Sequence, residues 1–328
     1  MKIVIIGGSG FIGTRLVGLL LETEHEVVIA DIVRSDKYPG LWKKCDACNE
    51  DELHSVLQGC NCIVNLAASH RDDVRPISLY MRNNVEAAEH VCKVATKLCI
   101  NHIVFTSSVA VYGFPKYAYD EKGPKKPFNE YGRTKLLAED VYRKWENGNL
   151  ENKLHIVRPT VVFGEGNRGN VYNLFKQLAS GCFLMVGNGK NSKSMAYVGN
   201  VVAFLLWNIE KNNQKYSVYN YIDKPDFSMN DLVDGFGRAL GKCIPSIRLP
   251  YFVGLLGGYC FDMLSFLTRK RYTISSIRVK KFCATTVFDS GAMLNSGFLP
   301  PYTLLEGLER TVKFEFMSKD KNKIEVKE

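Results

Sequence analysis

The sequence predicts an α/β fold: a doubly wound parallel sheet followed by a smaller C-terminal lobe. Three observations predict it. Short all-apolar runs alternate with helix-patterned stretches through the first half of the chain. A glycine-rich turn joins the first run to the first helix. After about residue 165 the alternation loosens into shorter elements. With 328 residues, 46% hydrophobic and 23% charged, the chain has enough apolar content for a large core and too much for a disordered one.

Taken in order, Ile3-Val4-Ile5-Ile6 has no polar position, as a strand covered on both faces requires. Residues 14–21 form the first helix. Runs at 27–30, 62–66 and 103–105 repeat the strand type. From Val85, apolar residues recur at Ala88, Val91, Cys92, Ala95, Leu98 and Cys99, which is helix spacing and places a helix over 84–99. Another is expected over 131–147, ended by Gly148, with a strand at Ile156-Val157 after it. Parallel strands joined this way cross over right-handed. Residues 164–170 read as a loop, with helices near 171–180, 200–211 and 229–240. The expected division is 1–165 for the sheet domain and 166–317 for a lobe whose strands can interleave with it. The charged residues 318–328 are expected to fray.

Lys+Arg 43 against Asp+Glu 34 gives a net charge of +9, which favours anionic partners such as phosphates or an anionic membrane face. Nucleic acid has no further support, because no recognition motif or basic aromatic stripe is present. No leader precedes the first strand, so the ten cysteines are expected to be free in a reducing cytosol. Cys45 and Cys48 form a C-x-x-C without a second pair. No metal site is therefore expected, and these residues, with Cys60 and Cys62, read as small buried side chains.

One segment is harder to place. Residues 249–261 carry no charge, Asp262 interrupts, residues 263–267 resume the apolar run, and Arg269, Lys270 and Arg271 follow. The run is short and broken for a spanning helix, which needs about 20 apolar residues. It reads either as a core helix of the second lobe or as an element docking on a membrane, with the basic cluster on anionic head groups.

The turn Gly7-Gly8-Ser9-Gly10-Phe11-Ile12-Gly13 fits both G-x-x-G-x-x-G and G-x-G-x-x-G. A strand precedes it and a helix follows, the context of a Rossmann-type dinucleotide site. Glycines permit the tight turn and the close approach of a pyrophosphate, and the helix N-terminus offers N–H groups to that anion. Asp31 ends the second strand. A carboxylate there can hold both hydroxyls of an adenosine ribose, which favours NAD over NADP, although Arg34 stands close by.

Tyr131 and Lys135 form a Y-x-x-x-K at the start of a helix, so they share a face. Thr106-Ser107-Ser108 lies upstream at the C-terminal end of a strand, where open α/β sheets place their sites. A phenol of pKa about 10 is a poor base at neutral pH. A lysine ammonium and a positively charged nicotinamide beside it favour the phenolate, and a serine hydroxyl can hold the substrate oxygen. Two further Y-x-x-x-K matches lack this setting: Tyr112 to Lys116 contains Gly113 and Pro115, and Tyr172 to Lys176 has no serine-bearing strand end before it.

With Asp46, Leu66-Ala67-Ala68, residues 106–113 and Arg158-Pro159-Thr160, these motifs resemble the extended short-chain dehydrogenase/reductases that act on diphosphate-linked sugars, the NAD-dependent epimerase/dehydratase family. The likeness covers essentially the whole chain. It implies NAD held by Gly7, Gly10, Phe11, Ile12, Gly13, Asp31, Asp46, Ala67, Tyr131, Lys135 and Pro159. It implies catalysis by Ser108 (rather than Ser107), Tyr131 and Lys135, and substrate contacts at Ser108, Asn170 and Lys193. Val109 and Ala110 occupy the places where the family's 4,6-dehydratases carry Asp-Glu, which argues against dehydration. Family members often form a homodimer through helices such as 84–99 and 131–147.

Stretches at 70–74, 163–174, 193–200, 249–251 with 257–262, and 276–286 are similar to those members of the family that invert C4 of an N-acetylhexosamine carried on undecaprenyl diphosphate, for O-antigen and lipopolysaccharide synthesis. This narrower likeness implies a substrate anchored in the bacterial inner membrane and an enzyme peripherally associated with its cytoplasmic face. Val161, where soluble nucleotide-sugar epimerases have Asn, the lack of a late R-x-G-D, and Lys193 in place of an arginine fit a substrate with a diphosphate but no uridine. The alternatives are a soluble UDP-N-acetylglucosamine/UDP-glucose 4-epimerase, an NAD(P)-dependent 4-ketosugar reductase or hydroxysteroid-type dehydrogenase, and a non-catalytic NAD-binding regulator.

Overall fold

The computed structural model describes residues 1–317 except Asp72, Asp73, Lys116, Cys182, Ser246 and 269–274. The charged tail 318–328 and the basic cluster Arg269, Lys270 and Arg271 lie outside the described residues.

In chain order the first part runs β1 (Lys2–Ile6), α1 (Phe11–Leu20), β2 (Glu26–Asp31), β3 (Trp42–Lys44), α2 (Glu50–Leu57), β4 (Cys62–Asn65), α3 (Ser78–Tyr80), a π-helical stretch (Met81–Glu86), α4 (Ala87–Lys97), β5 (His102–Thr106), a 3-10 turn (Val109–Tyr112), α5 (Glu130–Asn147) and β6 (Lys153–Pro159). It continues with β7 (Val161–Phe163), α6 (Asn170–Ala179), β8 (Met185–Val186), β9 (Ser192–Tyr197), α7 (Val198–Glu210), β10 (Tyr216–Tyr221), β11 (Asp223–Ser228), α8 (Met229–Leu240), β12 (Arg248–Leu249), α9 (Tyr251–Thr268), α10 (Ser276–Cys283), α11 (Gly291–Leu294) and α12 (Leu304–Val312).

Seven parallel strands form the main sheet in the order β10-β6-β5-β4-β1-β2-β3. The order reverses between β1 and β4, and such a reversal opens a ligand crevice at the carboxyl ends of the strands. Two small sheets, β11-β9-β7 and β12-β8, belong to the lobe.

The apolar strands follow from this placement. Ile3 and Ile5 join Leu16, Val17 and Leu20 of α1 and Val201 and Leu205 of α7 on one side. Val4 and Ile6 join Leu53 of α2, Val91 of α4 and Tyr142 of α5 on the other. With both faces covered, no position from Ile3 to Ile6 can be polar without a buried partner. The first cluster continues through Phe163, Phe175, Tyr197, Phe236 and Leu308, so sheet and lobe share one core. The chain leaves the main sheet after β6 and re-enters it as the edge strand β10. A cut at residue 165 therefore falls between β7 and α6, while the sheet takes its last strand from beyond it.

Candidate active site

The glycine turn is closed by backbone. Gly7 has φ +78, and a Cβ there would lie 2.7 Å from the Ala67 nitrogen; at Gly13 it would lie 2.5 Å from the Gly8 Cα. Only glycine fits either place. Gly10 is the N-cap of α1 and brings no side chain to cap it, so the first N–H groups of the helix face outward for an anion. Phe11 and Ile12 open that helix, half-buried. The amide of Ala67 is fixed by donating to Asn65 Oδ1 at 3.0 Å.

Asp31 ends β2. Its carboxylate accepts from the Ser9 amide at 3.0 Å and the Val33 amide at 2.9 Å, leaving lone pairs on both oxygens. Burial raises its pKa and these amides oppose the rise. Pro159 closes β6 beside Tyr221 of β10. Asp46 accepts from the Cys48 amide at 2.9 Å and from Arg82 at 2.6 Å. Burial acts against its charge, but the amide and the guanidinium prevail and hold the carboxyl low. A turn with no room for Cβ atoms, an uncapped helix N-terminus and an acid at the end of β2 together fit NAD.

The catalytic candidates meet at the carboxyl end of β5. Ser108 caps the 3-10 turn, its Oγ accepting from the Ala110 amide at 3.1 Å. Asn129 caps α5 by accepting from the Gly132 amide at 2.9 Å. A Cβ on Gly132 would lie 2.4 Å from the Ala110 carbonyl oxygen, so this glycine lets α5 close onto the serine turn. Tyr131, next to it, hydrogen-bonds Ser108. Burial pushes the phenol pKa up, and that bond pulls it down. Lys135, one turn on, donates from Nζ to the Thr106 carbonyl at 2.7 Å. Burial pushes its ammonium down to about 7, against the pull of the Glu139 charge.

The other two Y-x-x-x-K tyrosines are committed elsewhere. Tyr112 accepts from Arg158 and donates to Asn220, while Tyr172 stacks on Phe316 under Arg168.

Two residues of this neighbourhood escaped sequence reasoning. Glu139, a turn beyond Lys135, is buried; it accepts from Ser107 Oγ at 2.5 Å and from Arg158 Nε and Nη2 at 2.8 and 2.5 Å. Arg158 in turn donates to Tyr112 at 2.6 Å, so a buried chain of polar groups braces the strand ends behind Ser108. The signal was an acid four residues after Lys135 on a helix face otherwise marked by Ala138 and Tyr142. Asn84, in the π-helical stretch, donates to Thr134 Oγ1 at 2.9 Å and accepts from the Ser69 amide at 2.7 Å. Asn84 is one of two adjacent asparagines in the polar run Arg82-Asn83-Asn84, and the sequence gives no sign of which is buried.

The substrate candidates lie on the lobe. Asn170 opens α6 and is exposed. Lys193, in β9, donates from Nζ to the carbonyls of Lys281 at 2.8 Å and of Ala284. Burial lowers its pKa to about 8. Among the described residues no hydrogen bond links either of them to Ser108, Tyr131 or Lys135. Cys45, Cys60 and Cys62 are buried and free, and no group of three or more His, Cys, Asp or Glu among the described residues is placed to hold a metal ion.

The apolar segment is a single helix, α9, long and apolar enough by length and composition to cross a membrane. Of its 18 residues Gly258 alone is buried, which excludes the core-helix reading. Two of its three glycines face the body: a Cβ on Gly254 would lie 2.4 Å from Val186, and one on Gly258 would lie 2.8 Å from the Ser276 backbone. Asp262 points the same way and accepts from the Ser276 amide at 3.2 Å, so the charge does not break the outer apolar stripe.

The profile of the NAD dependent epimerase/dehydratase family matches residues 3–221. An Escherichia coli O157:H7 protein, N-acetyl-alpha-D-glucosaminyl-diphospho-ditrans,octacis-undecaprenol 4-epimerase, is 50% identical over 324 residues, 98% of either chain. UDP-glucose 4-epimerase of Vibrio cholerae is 26% identical over 95% of this chain and 94% of its own. In fold, the chain is similar to the crystal structure of UDP-glucuronic acid 4-epimerase from Bacillus cereus in complex with NAD, with TM-score 0.76 and 20% identity over 96% of this chain and 98% of that one. A profile match over two thirds of the chain and half-identity along nearly all of it leave one conclusion: the chain belongs to the NAD-dependent epimerase/dehydratase family.

Proposed function

We propose that this protein is an NAD-dependent 4-epimerase that interconverts N-acetylglucosaminyl- and N-acetylgalactosaminyl-diphospho-undecaprenol, at the cytoplasmic face of the bacterial inner membrane. The observation that carries the lipid-linked choice is α9, an apolar helix held to the body by its glycine edge with its large side chains in the open. A soluble nucleotide sugar gives such a helix nothing to do. The relative from E. coli O157:H7 supports the same reading.

When bound, NAD+ supplies the acceptor for the C4 hydride and returns it to the other face of the sugar. The turn at Gly7, Gly10 and Gly13 with Phe11 and Ile12, Asp31, Asp46, Ala67 and Pro159 would hold it, and Lys135 would hold its nicotinamide ribose. Tyr131 Oη takes the proton of the sugar 4-hydroxyl, and Ser108 Oγ holds that oxygen. Burial alone keeps the phenol protonated, so Tyr131 gives up its proton only when positive charge gathers beside it, that of Lys135 and of the nicotinamide. The 4-keto sugar turns about its diphosphate link and presents its other face, and Tyr131 returns the proton to the inverted oxygen. Asn170 and Lys193 contact the diphosphate, for which Lys193 gives up a backbone carbonyl.

Docking is peripheral, with α9 lying in the lipid interface. Association of two copies across α4 and α5 belongs to the same proposal, and a monomer in sedimentation equilibrium at micromolar concentration would remove it.

The test is a paired assay of purified protein with catalytic NAD+, one tube with N-acetylglucosaminyl-diphospho-undecaprenol in detergent and the other with UDP-N-acetylglucosamine. The expected result is N-acetylgalactosamine from the lipid tube alone. Product from the UDP tube alone moves the protein to the soluble epimerases. Stoichiometric consumption of NADH or NADPH moves it to the reductases.

A further inference from the structure

Two loops carry the candidate catalytic groups, and each also presents an exposed phenylalanine. Phe114 follows Gly113, where the 3-10 turn begun by Ser108 ends. Phe128 stands three residues before Tyr131. The two rings pack against each other, tilted by 31° with centroids 4.5 Å apart, and they are 47% and 45% exposed. Their loops are locked together: a Cβ on Gly113 would lie 2.1 Å from the Lys126 carbonyl oxygen and 3.7 Å from the Phe128 amide. The pair is thus a fixed apolar shelf, and its packing against Tyr131's own loop sets its place. Three residues of chain span no more than about 11 Å, the reach of a sugar and its diphosphate.

The shelf is not purely apolar. Lys281 of α10 places its ammonium 4.9 Å from the Phe128 ring centre. Its neighbour Lys280 donates to Tyr259 of α9 at 3.0 Å, with that ring beneath its ammonium. One turn of α10 therefore bridges the catalytic loops to the exposed helix. Apolar surface, then cation, then a larger apolar surface is the sequence of chemistry along a polyisoprenyl diphosphate whose tail runs on into lipid.

Resting on the proposed function, we propose that Phe114, Phe128 and Lys281 form the subsite for the lipid carrier: Lys281 pairs with the diphosphate, and the two rings cover the first isoprene units as the chain turns toward α9. Charge complementarity and continuity with the catalytic loops both select this occupant. Isoprene carbons gain free energy on leaving water for the two rings, so the shelf reads out as chain-length preference.

The experiment compares kcat/KM, in detergent, for N-acetylglucosamine diphosphate carrying one methyl group and carrying a chain of several isoprenes. The wild type is expected to favour the long chain, and the Phe114→Ala/Phe128→Ala variant to reduce that long-to-short ratio about tenfold. Lys281→Ala is expected to raise KM for both substrates together, since both carry the diphosphate. An unchanged long-to-short ratio in the double variant overturns the shelf, whether absolute rates fall or not, because a merely structural loss strikes both substrates alike. A wild type that epimerises UDP-N-acetylglucosamine and neither diphosphate ester overturns the proposed function instead.

Discussion

β1 and α9 are comparably apolar and meet opposite fates. Every residue from Ile3 to Ile6 is buried, whereas in α9 Phe252 is 71% and Phe266 85% exposed. The difference lies in what each element is offered. β1 is third from one edge of a seven-stranded sheet, with helices over both faces. α9 meets the body along Gly254, Gly258 and Asp262 and through Tyr259, while Phe252, Leu256, Met263, Phe266 and Leu267 stand exposed. An apolar sequence says that water is a poor neighbour, but not what replaces water. For β1 the replacement is the protein itself. Leaving a large apolar side chain in water forgoes about 1.5–3 kcal/mol, so a whole stripe of them implies an occupant outside the chain.

The largest expected effect lies on the sheet side. Tyr131→Phe removes the proposed proton carrier and nothing that holds the fold, so kcat should fall about 10²–10⁴-fold with NAD binding and thermal midpoint near the wild type. Turnover within a few-fold of wild type would end the assignment of Tyr131. Arg158→Met comes next. It strands the buried Glu139 carboxylate, and urea unfolding should show a loss of about 3–5 kcal/mol. Ile5→Ala, a cavity in the middle of the sheet, should cost about 2–5 kcal/mol in the same measurement. A cost below 1 kcal/mol would mean that the core closes over the gap, and the contrast with α9 would weaken.

A further effect on the sheet side depends on pH. Burial holds His155 at about 3 in the folded chain, where it hydrogen-bonds Ser217 and Asn212. Its unfolded value is about 6.5. A base whose folded pKa is depressed is bound by more protons when unfolded. The stability it permits is complete above 6.5 and is lost as pH falls from there toward 3. At pH 5 the loss is about 2 kcal/mol. Wild type should therefore lose about that much relative to His155→Gln between pH 7.5 and 5, and a pH-independent difference would show that folding leaves the His155 pKa unshifted.

How much could be read in advance also divides along the comparison. The central strands were legible because burial on both faces leaves an uninterrupted apolar signature. The glycine turn was legible because backbone at Ala67 and Gly8 forbids any Cβ there. Tyr131 and Lys135 followed from spacing and setting, whereas Ser108 rather than Ser107 was what the family resemblance implied. β3 was expected only from the resemblance, as the strand before Asp46, because it is three residues with two lysines, and α2 was missed because it buries only Leu53, Val56 and Leu57. Glu139 was missed because its partner Arg158 comes from a strand 19 residues on, a pairing that only the fold creates. Lys193 was legible as a cation but not in its setting, because the carbonyls of Lys281 and Ala284 reach it from 88 and 91 residues away. The exposure of α9 was equally hidden: composition is the same for a core helix and for one that awaits another phase.

The smallest expected effect on stability is the one that bears hardest on the comparison. Leu256→Ser with Phe266→Ser changes two side chains on the outer stripe of α9, neither of which packs in the core. Unfolding free energy should stay within about 0.5 kcal/mol of the wild type, as surface substitutions usually do. Binding to vesicles containing anionic phospholipid should nevertheless weaken more than about tenfold, since each lost side chain would have left water for the lipid interface. The two readouts separate the explanations. A large loss of stability would make α9 part of the fold's own core after all. Unchanged stability with unchanged vesicle binding would leave the stripe to another protein surface. Only the combination of intact stability and lost binding is what an element built for a lipid interface must show, because its apolar side chains then contribute nothing until the membrane supplies the neighbours that the sheet supplies to β1.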